Sequence, residues 1–324
     1  MSELAPLRPA QRRRVLVIKH GALGDFVQSL GPFQAIRAHH LGDSVVLLTS
    51  SRFAEVAAEC GYFDEVWIDD RPPPWRLGAL WSLRRRLREG NFARVYDLQT
   101  STRSSLYFWL FPMRRRPEWS GIARGCSHPH ANPDRDRMHT MDRQANQLEA
   151  AGSHVSPPPE LAWARGSLRQ LGVEGRFALL VPGGSRHRPG KRWPAESYMT
   201  LARTLAADGI RPVLIGGPEE APLLRSIATA CPAALDLGGR TGFADLAELA
   251  RHARFAVGND TGPMHLFAAA GCPSLVLFSA QSAPALCAPR GPRVRVLRQA
   301  ALADLPLARV ADELSALARL DKPA

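Results

Sequence analysis

Four glycine-bearing segments hold side chains suited to a phosphorylated ligand. The first is Lys19-His20-Gly21-Ala22-Leu23-Gly24-Asp25. Its glycines do not form the G-x-G-x-x-G pattern of a dinucleotide site, and a carboxylate stands where a pyrophosphate would dock, which argues against NAD. Asp25 either caps the following helix, where acids are favoured, or acts as a base. The second segment runs from Pro182 to Pro194 and contains Gly183, Gly184, Ser185, Lys191 and Arg192. Small residues let backbone N–H groups approach an anion, while Ser185 and the two cations add donors, although the loop lacks the P-loop pattern. The third is Gly216-Gly217-Pro218-Glu219-Glu220, where Glu219 or Glu220 at a helix start can accept hydrogen bonds from ribose hydroxyls. The fourth is Gly258-Asn259-Asp260-Thr261-Gly262-Pro263-Met264-His265-Leu266. Pro263 suits a first helical turn, and Thr261 and Gly262 then present N–H groups at the positive end of the helix dipole. His265 taken alone reads as an ordinary helix histidine.

These segments need strands to present them. Short β-rich runs alternate with helical patterns twice along the chain, the mark of parallel α/β domains. Strands are expected at Val15–His20, Ser44–Thr49, Glu65–Asp69 and Ala93–Leu98, with helices at Asp25–His39, Phe53–Cys60, Leu77–Glu89 and His139–Ala151. The second half starts again with strands at Phe177–Val181, Pro212–Ile215, Ala234–Leu237, Phe255–Val257 and Ser274–Phe278. Its helices are expected at Pro194–Asp208, Glu219–Thr229, Phe243–His252 and Pro263–Ala270, with a last one over Leu305–Leu320. Each chemical segment thus follows a strand, where open parallel sheets bind ligands. Val155–Glu160, with three consecutive prolines, suits neither helix nor central strand. It divides the chain into Rossmann-like domains over 1–156 and 157–324.

The 324 residues suffice for two domains, and a hydrophobic content of 45% excludes disorder over most of the length. Five scattered cysteines with no CxxC pair suggest neither a disulfide framework nor a thiolate metal cluster, and so a reducing cytoplasm. The N-terminal residues lack an apolar signal-like stretch, and no run reaches the roughly 18 apolar residues that cross a bilayer. The expected protein is cytoplasmic, with a peripheral contact at the inner face of the membrane left open. A net charge of +12 suits a polyanionic partner: nucleic acid, anionic lipid or a phosphorylated substrate. Asp134-Arg135-Asp136 has paired-acid spacing but reads as solvated surface, and no metal or cofactor is called for.

Together the segments say more than singly. The order G-D, P-G-G-x6-K-R-W-P, G-G-P-E-E, N-D-T-G-P-M-H-L resembles glycosyltransferase family 9, the lipopolysaccharide heptosyltransferases, from Val15 to Phe278. The resemblance implies a GT-B fold, two Rossmann-like domains facing a central cleft. It implies inverting transfer of a heptose from an ADP-sugar to a hydroxyl of the anionic, lipid A-linked lipopolysaccharide core. It further implies Asp25 as general base, and Lys191 and the Thr261-Gly262 amides as diphosphate ligands, to which the loop itself adds Gly184 and Ser185 as donor-binding candidates. Glu220, or in its place Glu219, becomes the ribose ligand, Asp260 a donor-sugar contact, and His265 part of the donor site. On the acceptor side, Arg52, Arg103 and Arg124 near strand ends suit carboxylates or phosphates of an inner-core oligosaccharide.

The chemistry is consistent with that reading. A sugar hydroxyl needs a carboxylate to take its proton, and the departing diphosphate needs donors already aimed at it. A nucleotide-sugar 2-epimerase, which also uses two Rossmann domains, a family 9 transferase with another donor sugar, and a nucleic-acid or membrane binder remain as alternatives; nucleic acid is not the expected partner. Leu106–Leu110 reads as a buried helix, and the triplets Arg84–Arg86 and Arg114–Arg116 read equally as solvated or lipid-facing.

Overall fold

The computed structural model describes residues 12–73, 75–153, 156–184 and 188–319. The chain divides into two compact units, one comprising 1–21, 32–135 and 144–157, the other 22–31, 136–143 and 158–324. The division at Pro157/Pro158 lies within the proline stretch. Two pieces of the first half, including the one that carries Asp25, nevertheless belong to the second unit.

In the first unit six parallel strands, β1 (Arg14–Ile18), β2 (Ser44–Thr49), β3 (Glu65–Ile68), β4 (Phe92–Asp97), β5 (Glu118–Gly121) and β6 (His128–Pro129), lie in the order β3-β2-β1-β4-β5-β6. The inner strands β1 and β2 are almost wholly buried, as β-branched and Leu-rich runs covered on both faces must be, and β4 is buried over its second half. The helices in chain order begin with α1 (Leu23–Gln28), which belongs to the second unit, followed by α2 (Leu30–His39), α3 (Ala54–Glu59), α4 (Leu77–Glu89), α5 (Thr102–Tyr107) and α6 (Thr140–Ala150). One core packs Leu16, Ile18, Val46 and Val95 against Leu83, Leu87, Phe108 and Trp119.

The second unit repeats the plan. Strands β7 (Phe177–Val181), β8 (Arg211–Leu214), β9 (Leu235–Asp236), β10 (Ala256–Asn259), β11 (Ser274–Phe278) and β12 (Val294–Arg298) form a parallel sheet ordered β12-β11-β10-β7-β8-β9. Helices α7 (Ala195–Ala207), α8 (Ala221–Ala230), α9 (Phe243–His252), α10 (Gly262–Ala269), α11 (Pro284–Cys287) and α12 (Leu307–Arg319) accompany it. Leu180, Val257, Leu275 and Leu277 meet Trp193, Tyr198, Leu201, Ile227 and Leu317 in its core. The strand order reverses between β7 and β10, so the crevice beyond their carboxyl ends is the natural ligand position.

Several expectations change. The helix expected over Asp25–His39 is two helices, broken at Ser29, whose Oγ donates to the Asp25 carbonyl at 2.7 Å. Pro32 cannot supply the N–H that a continuous helix would direct to Gln28. Strands β5, β6 and β12 were not expected. Nor is Leu106–Leu110 uniformly buried: Tyr107 and Phe108 are, but Leu106 and Trp109 are more than half exposed. Among the described residues no helix is long and apolar enough to cross a membrane, and no group of three His, Cys, Asp or Glu is placed to hold a metal ion.

Candidate active site

At the switch point of the second unit, buried Asn259 at the end of β10 ties two motifs together. Its Nδ2 donates to the Pro182 and Gly183 carbonyls, each at 2.9 Å, and its Oδ1 accepts from the Trp193 N–H at 3.0 Å. Trp193 itself is buried edge-on against Tyr198 and donates from Nε1 to the Leu305 carbonyl at 3.0 Å. The Trp-Pro pair after Lys191-Arg192 therefore serves as an anchor, fixing the end of the loop beside the two cations.

The anchored loop brings Lys191 to Asp260. Lys191 Nζ lies 2.8 Å from Asp260 Oδ2, with both side chains largely buried, and the Ser282 hydroxyl donates to that same oxygen at 2.7 Å. The Arg192 guanidinium donates to the Gly184 carbonyl at 2.6 Å. A Cβ on Gly184 would stand in ordinary contact with Arg192 and Thr261, so this glycine lines the same small space. Thr261 is the N-cap of α10, and Pro263 occupies its first turn. The first N–H groups of a helix have no intrahelical acceptor, so this end favours an anion.

Glu220 braces the loops from behind: Oε1 accepts from the Gly184 N–H at 2.7 Å and Oε2 from the Gly217 N–H at 2.8 Å. A Cβ on Gly183 would lie 1.7 Å from that carboxylate, so any larger residue there would push Glu220 off its two amides. Glu219, by contrast, is exposed.

Asp25 reaches this group through α1, in which it holds the third position behind the N-cap Ala22. Close packing is possible because Gly24 and Gly262 lack side chains: a Cβ on Gly24 would stand 2.7 Å from His265, and one on Gly262 would stand 2.7 Å from Leu23. Gln28 on α1 donates from Nε2 to His265 Nδ1 on α10 at 3.1 Å, which keeps the ring neutral and clamps the two helices. Burial drives His265 down to about 4, although Asp260 and Asp25 pull the other way. Cys287 on α11 lies within electrostatic reach of Asp260, Lys191 and Asp25, and burial raises its thiol to about 11, so it stays protonated. The 136–143 segment is held to the same unit by His139 Nε2 at 2.9 Å from the Ala288 carbonyl and by a two-pronged Arg290–Asp142 ion pair.

Asp25, Gly184, Lys191, Glu220, Asp260, Thr261, Gly262 and His265 thus belong to one unit. Ser185 lies outside the described residues. Arg52, Arg103 and Arg124 lie in the first unit; Arg52 and Arg124 are exposed. Arg103 donates to Tyr107 Oη at 3.1 Å and to the Pro72 carbonyl at 2.8 Å. It flanks Asp69, whose carboxyl burial would raise but whose hydrogen bonds from His20, Tyr107 and the Arg71 N–H hold at about 2. Sequence reasoning missed Gln28, Ser282 and the bracing role of Glu220. Only the Gly-Gly pairs that crowd Glu220 left a local trace.

The profile of glycosyltransferase family 9 (heptosyltransferase) matches residues 80–314. A lipooligosaccharide heptosyltransferase 2 from Haemophilus influenzae is 30% identical over 120 residues, 36% of this chain and 34% of that one. The match to that relative therefore spans about a third of its length. Lipopolysaccharide heptosyltransferase 2 of Salmonella typhimurium is 24% identical over 88% of both chains. The solved structure of the E. coli heptosyltransferase WaaC with ADP superposes with a TM-score of 0.74 at 21% identity, covering 94% of this chain and 99% of that one. Its likeness shows the same GT-B fold. With a profile match over more than half its length, the chain belongs to glycosyltransferase family 9 (heptosyltransferase).

Proposed function

We propose that the protein transfers a heptose from ADP-heptose to a hydroxyl of the lipopolysaccharide core, with inversion at the anomeric carbon. The gathering of Asp25, Lys191, Asp260 and the N-terminus of α10 in one unit carries this reading. Asp25 takes the acceptor hydroxyl proton as the new glycosidic bond forms, a role worth roughly 10²–10⁴-fold in rate. The bond from the anomeric carbon to the diphosphate oxygen breaks on the opposite face, and the electron pair leaves with ADP. Lys191 and the Thr261 and Gly262 amides meet the charge that develops there. Asp260 holds Lys191, and the arriving diphosphate takes over that cation. The Asp260 carboxylate, kept in place by Ser282, is then free to accept from the sugar hydroxyls. Glu220 is committed to the Gly184 and Gly217 amides, which leaves exposed Glu219 as the better ribose ligand. Arg52, Arg103 and Arg124 bind the carboxylates and phosphates of the acceptor.

The test is ADP release from ADP-heptose with and without a lipid A-linked core acceptor. Heptosylated acceptor, formed with ADP in equal amounts and only when acceptor is present, is expected. Nucleotide release or sugar epimerisation without acceptor would favour the 2-epimerase reading, and turnover with another nucleotide sugar alone would change the donor.

A further inference from the structure

Seven of the ten exposed large hydrophobic side chains among the described residues fall between Trp75 and Met113. Helix α4 has two apolar stripes. Leu83 and Leu87 enter the core of the first unit, whereas Leu77, Leu80 and Trp81, spaced i, i+3, i+4, face outward. Beside them Leu106 and Trp109 project from the segment after β4, and a groove of about 530 Å³ opens between, with Leu80, Leu106, Trp109 and Leu110 in its walls. Isolated exposed hydrophobics are ordinary, but large apolar side chains gathered along one groove mark an interaction site.

The charges around the patch identify what it meets. Residues 71–89 and 102–116 contain ten arginines and a single acid, Glu89. Two of these arginines lie over aromatic rings of the patch, Arg84 at 5.7 Å from the Trp81 centroid and Arg116 at 4.9 Å from that of Trp109. Tryptophan and leucine bordered by arginine match the boundary of a bilayer, with indole rings at headgroup level, aliphatic side chains below and guanidinium groups among phosphates. A second copy of this chain fits poorly, because each carries a net charge of +12 and would set arginine against arginine.

We infer that this face of the first unit docks on a membrane surface rich in anionic lipid, with α4 and the 106–113 segment lying in the interface. The surface shares Arg103 with the proposed acceptor side but no residue with the donor site, and binding to acceptor-free lipid requires no substrate, so its test is distinguishable from that of the transferase reading.

Flotation of the full chain with acceptor-free vesicles tests it, comparing phosphatidylcholine alone with phosphatidylcholine plus phosphatidylglycerol. Binding is expected with the anionic vesicles, weakening as salt rises. Each interfacial arginine contributes about fivefold, so Arg84→Gln, Arg85→Gln and Arg88→Gln together lower the partition on the order of 100-fold. Leu77→Ser with Trp81→Ser leaves the charge intact and is expected to lower it at least tenfold, while melting temperature and ADP affinity stay at wild-type values. Failure of the wild type to bind anionic vesicles overturns the inference. So does full binding by the Leu77/Trp81 variant, which would reduce the attraction to charge alone. Concentration-dependent dimers that this variant abolishes, without vesicle binding by the wild type, would assign the face to a second copy.

Discussion

Replacing Gly24 by alanine pits the packing of α1 against the chemistry it carries. The added Cβ would stand 2.7 Å from His265 Cδ2 and 3.1 Å from Nε2, well inside the roughly 3.5–4.0 Å at which carbon contacts are favourable. The ring cannot swing aside cheaply, because it is buried and Gln28 holds its Nδ1. Two effects then oppose each other. Alanine gains up to about 1 kcal/mol over glycine in a helix, while overpacking costs about 1–3 kcal/mol. The net loss is on the order of 1–2 kcal/mol, a few degrees in melting temperature. The rate suffers more, because relief of the clash moves α1 away from α10 and takes Asp25 with it. A displacement near 1 Å in a catalytic group costs on the order of 100-fold. Single-turnover kinetics with saturating donor and acceptor should show a fall of about 10–100-fold, with ADP affinity close to wild type because Lys191 and Asp260 are untouched. A Gly24→Ala enzyme with the wild-type single-turnover rate would refute the proposal that α1–α10 packing sets the position of the base.

Three further outcomes follow from the same geometry. Lys191→Ala should weaken ADP binding by roughly 10–100-fold, the range of a charge-assisted contact, and unchanged affinity in calorimetry would remove the lysine from the diphosphate site. Glu220→Ala should lower both melting temperature and ADP affinity because two loop amides lose their acceptor, whereas Glu219→Ala should lower ADP affinity alone; the reverse pattern would exchange their roles. His265 is depressed in the folded state to about 4, so the unfolded chain binds more protons between pH 4 and its ordinary value near 6.5. The stabilisation it represents is full above that value and is lost as pH falls, about 2–3 kcal/mol by pH ~4.5. Urea titrations of wild type and His265→Gln should diverge in slope over that window, and parallel pH profiles would contradict the assignment.

How much of this was visible in the residues varies along the chain. β2, β7 and β11 coincide with the expected runs because buried parallel strands are uninterrupted apolar segments. The turns at Lys191 and Asp260 were equally legible, since glycine, proline and a buried-strand ending mark them locally. β12 was not: Val294–Arg298 alternates with arginine, and only its pairing along the length of β11 makes it a strand. β5 and β6 are too short to show a period. Asp25 was recognised as a candidate base, but its membership in the second unit depends on Gly24 and Gly262 admitting close helix contact, a property of two distant glycines jointly. Ser282 and Gln28 carry no motif, and their roles exist only through Asp260 and His265. Leu106 and Trp109 looked like core because composition does not distinguish an apolar face turned inward from one turned outward.

The central claim is that Asp25 is the base, and Asp25→Asn tests it most directly. Asparagine is nearly isosteric, and losing the charge in the first turn of α1 costs only about 0.3–1 kcal/mol, so melting temperature and ADP affinity should stay near wild type. The amide cannot accept the hydroxyl proton, and the single-turnover rate with saturating donor and acceptor should fall by roughly two orders of magnitude or more. A well-folded Asp25→Asn enzyme that turns over at the wild-type rate would contradict the mechanism and move the base to Asp260 or His265.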